Sequence, residues 1–188
     1  ARAALQYGTT KGYAPLRALL YDHLAELDAT PADDFPGSAE DIVICTGSQQ
    51  LLHILTDLLV DPGPPGDIVI AAWPSYFVYT GALSAFGARV RTVDLDEHGM
   101  VPQKLDTLLA ELADAGQLPN VKIIYTCTYH QNPTGLTLSA ERRPAILNIA
   151  RKYSDLSGGR ILVIEDAAYR ELTFEGQAPP SIKRHDTE

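Results

Sequence analysis

Residues 121–138, VKIIYTCTYHQNPTGLTL, decide how the chain is read: an apolar strand over 121–127 runs almost directly into Gln131-Asn132-Pro133-Thr134-Gly135. Val, Ile and Tyr in succession favour extended backbone, and Asn-Pro followed by Thr-Gly is a turn signal. A strand that is nearly continuously apolar is one buried on both faces, as in a parallel sheet covered by helices. In open parallel sheets ligands sit outside the carboxyl ends of the strands, so this turn stands where a ligand can meet the end of one.

Working outward, the same alternation recurs on either side. Upstream the pattern predicts strands over 42–45, 68–71 and 89–93 and helices over 50–60, 76–86 and 102–115; downstream it predicts a helix over 139–153 and a strand over 160–165. Asp61-Pro62-Gly63-Pro64-Pro65-Gly66 ends one helix and Gly87 another. Five strands alternating with helices argue for an α/β fold, a three-layer domain with a mostly parallel sheet. Ahead of it, 7–13 (YGTTKGY) is irregular. The stretch over 15–27 sets Leu16, Leu19, Leu20, Leu24 and Leu27 at helical spacing behind Pro15, and the Pro-, Asp- and Gly-rich 30–39 is a linker. Residues 1–40 are thus expected to be an N-terminal segment and residues 41–188 a larger α/β domain. No repeat of fixed period and no low-complexity tract interrupts this pattern.

The 188 residues are 45% hydrophobic and 21% charged, a balance that supports a sizeable core. Fifteen basic against twenty-four acidic residues give a formal charge of −9, with no Lys/Arg-dense run that could follow phosphates along a strand of nucleic acid. The apolar runs fall short of a membrane span, so neither nucleic acid nor membrane is an expected partner. Cys45 and Cys127 are the two cysteines and have no CxxC spacing. That argues against a disulfide framework or a metal site and fits a reducing cytoplasm.

The residues after each strand are the candidates for chemistry. Gly47-Ser48-Gln49 precedes a helix, where free N–H groups and the dipole favour an anion such as a phosphate; Ser48 alternatively serves as the N-cap. Tyr76 offers either a ring face to a planar ligand or a core contact. Asp166, after Ile161-Leu162-Val163-Ile164, is either a solvated loop residue or a buried partner for a cation. Strand alternation points its neighbour Glu165 to the opposite side, where it is structural or solvent-facing. Asn132 and Tyr169 supply an amide and a phenol, groups that hold and polarise a phenolic or hydroxyl oxygen. His130 has no nucleophile and no second ligand at a meaningful spacing, so packing or hydrogen bonding is its expected role.

Tyr7-Gly8 with Gly12-Tyr13-x-Pro15-Leu16-Arg17, Thr46-Gly47-Ser48-Gln49-Gln50, Pro74-Ser75-Tyr76, Gln131-Asn132-Pro133-Thr134-Gly135 and Asp166-Ala167-Ala168-Tyr169 resemble, in order and spacing, the class I/II aminotransferases of fold type I. These use pyridoxal 5′-phosphate (PLP). The Gln-Asn-Pro-Thr-Gly variant and GYAPLR look most like the branch with 2-aminoadipate and other broad-specificity aminotransferases and MocR-type regulators. The resemblance implies that Gly47, Ser48 and Gln49 hold the PLP phosphate, that Tyr76 stacks on the ring and that Asp166 pairs with the protonated ring nitrogen. It further implies that Asn132 and Tyr169 bond the phenolic oxygen, that Tyr7 reaches the phosphate of a neighbouring subunit in a homodimer, and that the Asn132–Pro133 bond is cis. Amino acids and 2-oxo acids are the implied substrates.

The family's catalytic lysine, which tethers the cofactor and shuttles the proton, falls beyond Glu188 by this resemblance. None of Lys11, Lys104, Lys122, Lys152 and Lys183 stands in a matching position, so no catalytic residue is assigned within the chain. With no opening methionine and with a polar KRHDTE end, the chain is expected to be a fragment of a longer enzyme, inactive by itself. A sensor domain of a transcription regulator and a catalytically silent remnant are the rival expectations.

Overall fold

Strand β1 (Ile68–Trp73) sends Ile68, Ile70 and Ala72 to one face and Val69 and Ala71 to the other, and all five are buried. Such a strand is stable only between two neighbours and two covering layers. The computed structural model, which describes residues 6–187, supplies both. The remaining strands are β2 (Arg89–Asp96), β3 (Gly99–Met100), β4 (Val121–Cys127) and β5 (Leu162–Asp166), and the sheet order is β3-β2-β1-β4-β5. Strands β2, β1, β4 and β5 run parallel, and β3 folds back antiparallel on β2.

Helix α1 (Ala14–Leu27) precedes the sheet. Helices α2 (Ser48–Leu59) and α3 (Phe77–Phe86) cover one face, where Leu52, Tyr79 and Leu83 pack on Val69, Ile123 and Tyr125. Helices α4 (Pro102–Asp114) and α5 (Arg142–Ser157) cover the other, where Leu105, Leu109 and Ile146 meet Ile70 and Ile124. Burying a side chain of this kind is worth about 1.5–3 kcal/mol. Val121 and Ile123 reach opposite layers although two apart, because the register slips between Ile68 and Val69 and leaves Lys122 as an extra residue in β4.

This topology also fixes where a ligand belongs. From β1 the chain moves one way to β2 through α3; it then returns to the other side of β1 through α4 and continues to β5 through α5. Crossovers of one hand require the helix to change face when the direction reverses, as α3 and α4 do. The reversal opens a crevice between the carboxyl ends of β1 and β4.

The expectation of a strand over 42–45 is not met: those residues are extended but pair with no strand among the described residues. Ile44 N–H donates to the Lys11 carbonyl at 2.9 Å, which ties the stretch to the N-terminal segment rather than to a ladder. Gly12 is required beside it, since its φ is +97° and an added Cβ would lie 2.6 Å from Ile44 Cβ. Helix α5 starts three residues later than expected and runs on to Gly158, whose left-handed backbone ends it.

Candidate active site at the carboxyl edge of the sheet

Helix α2 ends shortly before β1 begins, so its N-terminus faces the carboxyl edge of the sheet, on the α2/α3 side. Gly47 is the N-cap, with φ +125° and ψ 160°, a combination only glycine holds without strain. Ser48 is the first helical residue, so the expectation that it caps the helix is corrected. No side chain caps α2, and Gly47, Ser48 and Gln49 are exposed; Gln50 N–H donates to the Gly47 carbonyl at 3.2 Å, so the N–H groups of Ser48 and Gln49 are the ones open to an anion. Gln50 braces the entry: its Oε1 accepts from Thr46 N–H at 2.9 Å and from the Thr46 hydroxyl at 2.8 Å.

The turn after β4 is held from inside. Gln131, 2% exposed, donates from Nε2 to the Pro74 carbonyl at 2.5 Å, so the end of β4 is tied to the end of β1 across the crevice. Its Oε1 accepts from the Thr134 N–H and hydroxyl, and its backbone N–H donates to Leu136 O at 2.8 Å. The Asn132–Pro133 bond is cis, as the resemblance implied. Asn132 is half-buried beside this clamp, and Tyr76, half-buried at the N-cap of α3, packs against the α2/α3 core.

Asp166 ends β5 on that same side. Its Oδ2 accepts from the Tyr125 hydroxyl at 2.8 Å and its Oδ1 from Ala168 N–H at 3.2 Å. Among the described residues it has no salt-bridge partner, although it is half-buried. Burial, then the neighbouring Asp166 charge, pushes the Tyr125 phenol far above its ordinary range and the Cys127 thiol up to about 11. Tyr169, three residues on, is half-buried and leads into the short 3-10 turn Arg170–Leu172. The α2 N-terminus, Tyr76, Asn132 and Asp166 thus follow or end elements at the carboxyl edge of the sheet, whereas Tyr169 lines a cavity with Tyr21, Leu24 and Leu27 of α1 and with Glu165. Tyr7, 105% exposed, is not brought to that edge.

Glu165 points to the opposite side, as strand alternation required, and it is structural rather than solvent-facing. It accepts from Thr128 Oγ1 at 2.9 Å, Arg143 Nη1 at 3.0 Å and Ile182 N–H at 2.8 Å. Arg143 is fully buried and also donates to the carbonyls of Leu138 and Thr128, which flank the turn. Its guanidinium lies 4.3 Å from the centre of the Tyr129 ring, and that of Arg170 lies 5.0 Å from the same ring. Arg170 is paired in turn with buried Asp28, after α1, so the N-terminal segment is bolted to the site loops. His130 bonds through Nε2 to Thr173 Oγ1 at 2.9 Å, the hydrogen-bonding role expected of it. Sequence reasoning gave no role to Tyr125, Arg143 or Arg170, and to Gln131 only a place in the turn motif.

The family model for aminotransferase class I and II matches residues 1–187. The chain belongs to this family. The aminotransferase chain is 35% identical to aromatic-amino-acid aminotransferase 1 of Thermococcus litoralis, over all of this chain and 41% of that protein. It is 32% identical to the 2-aminoadipate transaminase of Thermus thermophilus, over 95% of this chain and 38% of that one. A solved kynurenine aminotransferase of Pyrococcus horikoshii, in complex with PMP, KYN and KYA, superposes with a TM-score of 0.83 at 35% identity, covering 98% of this chain and 42% of that one. The aminotransferase chain thus spans about two fifths of the length of these relatives.

Proposed function

We propose that these residues form the cofactor-holding part of a PLP-dependent aminotransferase, which moves an amino group between an amino acid and a 2-oxo acid. The observation that carries this reading is Asp166: a half-buried carboxylate whose oxygens are fixed by a phenol and a backbone N–H, with no cationic side chain paired to it among the described residues. Such a group calls for a cation from a ligand. The protonated ring nitrogen of PLP is one, and a strand-end carboxylate keeps it protonated. The open first turn of α2 answers the phosphate through Gly47, Ser48 and Gln49. Asn132 and Tyr169 offer hydrogen bonds to the phenolic oxygen, and Tyr76 offers its ring face. When bound, PLP supplies an electron sink for bonds at the amino acid's Cα.

The five lysines have other engagements. Lys104 pairs with Asp94 at 2.6 Å, Lys152 with Asp106 at 2.7 Å, Lys183 with Asp186 at 2.8 Å, Lys11 with Glu40 at 3.6 Å and Lys122 with Asp67 at 3.7 Å. None reaches Asp166, so we assign the tethering lysine to residues outside these and predict no transamination from this chain alone. Borohydride trapping with one equivalent of PLP, followed by peptide mapping, is expected to leave all five unmodified; stoichiometric labelling of one of them contradicts this. Residues 41–188 then belong to the larger cofactor domain, with 1–40 as its N-terminal segment. We further propose a homodimer in which the exposed Tyr7 reaches the partner's phosphate site, and a reducing cytoplasm in keeping with the free Cys45 and Cys127.

The phosphate end has its own test. Gly47→Ala meets no atom within 4 Å but cannot hold φ +125° without strain, about 1–3 kcal/mol. It is expected to weaken binding of pyridoxamine 5′-phosphate, an analogue that cannot condense with lysines, by about tenfold. Affinity for pyridoxamine, which lacks the phosphate, should not change. Equal losses for both compounds would place the phosphate elsewhere.

A further inference from the structure

Tyr125 sits in the middle of β4 and is fully buried. Its ring packs at 4.6 Å on that of Tyr79, itself fully buried in α3, and the Tyr79 hydroxyl lies 3.3 Å from that of Thr56 in α2. Three elements therefore immobilise the ring, and the hydroxyl at its tip emerges beside Asp166, to which it donates at 2.8 Å. A buried phenol needs an acceptor, and any backbone carbonyl would satisfy it. Here the acceptor is instead the half-buried carboxylate at the carboxyl edge.

We propose that Tyr125 is a positioning residue for the cofactor's ring nitrogen: its hydroxyl fixes the plane of the Asp166 carboxylate before the ligand arrives. The inference rests on the reading of Asp166 given above. Each carboxylate oxygen holds one protein donor, the Tyr125 hydroxyl on Oδ2 and Ala168 N–H on Oδ1, the first from inside β4 and the second from the loop after β5. Each oxygen keeps a further acceptor site for a ligand N–H. With its torsions set in advance, the carboxylate loses little freedom when it takes up the ring, and the bond's direction is determined by the core rather than by a mobile loop. Burial and the Asp166 charge both oppose ionisation of the phenol and so favour its role as donor.

A double-mutant cycle on binding of pyridoxamine 5′-phosphate tests this, with inorganic phosphate as the control ligand. Tyr125→Phe keeps the ring and removes only the hydroxyl. It is expected to weaken the cofactor analogue about fivefold, with phosphate affinity unchanged. In the Asp166→Ala background the same substitution should leave the analogue's affinity unchanged and raise the unfolding midpoint, since it removes a phenol that the alanine background leaves without an acceptor. Should Asp166→Ala not fold, Asp166→Leu, which also has no acceptor for the phenol, serves as the background, again with no effect of Tyr125→Phe on affinity. If Tyr125→Phe binds like the parent while Asp166→Ala is weakened, the positioning role fails and the aminotransferase reading stands. Equal weakening by Tyr125→Phe in both backgrounds assigns Tyr125 to general packing and also overturns the proposal. If Asp166→Ala binds like the parent, the reading of Asp166 falls and this inference with it.

Discussion

Arg143→Met is expected to lower the free energy of unfolding by about 3–5 kcal/mol, the usual loss when one partner of a buried ion pair is removed. Arg143 is fully buried, and a single guanidinium serves Glu165, the Leu138 and Thr128 carbonyls and the face of Tyr129. Burial opposes both charges, pushing the Glu165 carboxyl up and the Arg143 guanidinium down, so the pair persists through its hydrogen bonds and mutual attraction. Methionine fills the volume but satisfies none of those acceptors. Because Thr128 and Leu138 bracket the turn that carries Asn132, the substitution should also loosen that loop, visible as faster amide hydrogen exchange at 129–137. Urea unfolding checks the first effect. A loss under about 1 kcal/mol would mean that the network is solvent-accessible and contributes as a surface pair does.

The second large effect concerns the ligand. Asp166→Asn is expected to weaken pyridoxamine 5′-phosphate by about 10- to 100-fold, since a hydrogen bond to a charged group is worth about 1.5–3 kcal/mol. The fold should survive, because an asparagine oxygen can still accept from Tyr125, the bond that Asp166 now receives at 2.8 Å. Alanine at this position would add a stability cost by stranding that phenol, so asparagine isolates the charge. Calorimetry on parent and variant reads the affinity. Unchanged affinity would mean that Asp166 faces no cation.

Much of this was legible in the sequence, for reasons that differ by residue. Strands β1 and β4 are largely apolar runs and announce their own burial, β5 opens on the apolar Leu162-Val163-Ile164 but is half-buried as the last strand of the described sheet, and the ligand-facing ends follow from parallel connectivity. The run over 42–45 carries the same pattern yet forms no strand here, because a strand is completed by its neighbour and an apolar pattern does not say whether one is present. The two-residue β3 is too short to leave a period. At the site, Asp166 and Asn132 stood out as polar residues following apolar strands. Tyr125 did not, because a tyrosine in a strand reads as core, and only the register that sets it beside Ile164, two residues before Asp166, exposes its hydroxyl's partner. Glu165 and Arg143 were hidden for another reason: alternation gives a side chain's direction, whereas the α5 residue that answers it is a matter of tertiary packing.

If Asp166 holds a protonated pyridine nitrogen, nitrogen NMR of ring-labelled pyridoxamine 5′-phosphate observes that atom directly. The spectrum should be taken at an alkaline pH where the free compound has lost its ring proton. Bound to the protein, the ring nitrogen is predicted to show a pyridinium shift, and bound to Asp166→Asn a neutral pyridine shift. A neutral shift in the parent protein, or the same shift in both, would contradict the assignment of Asp166.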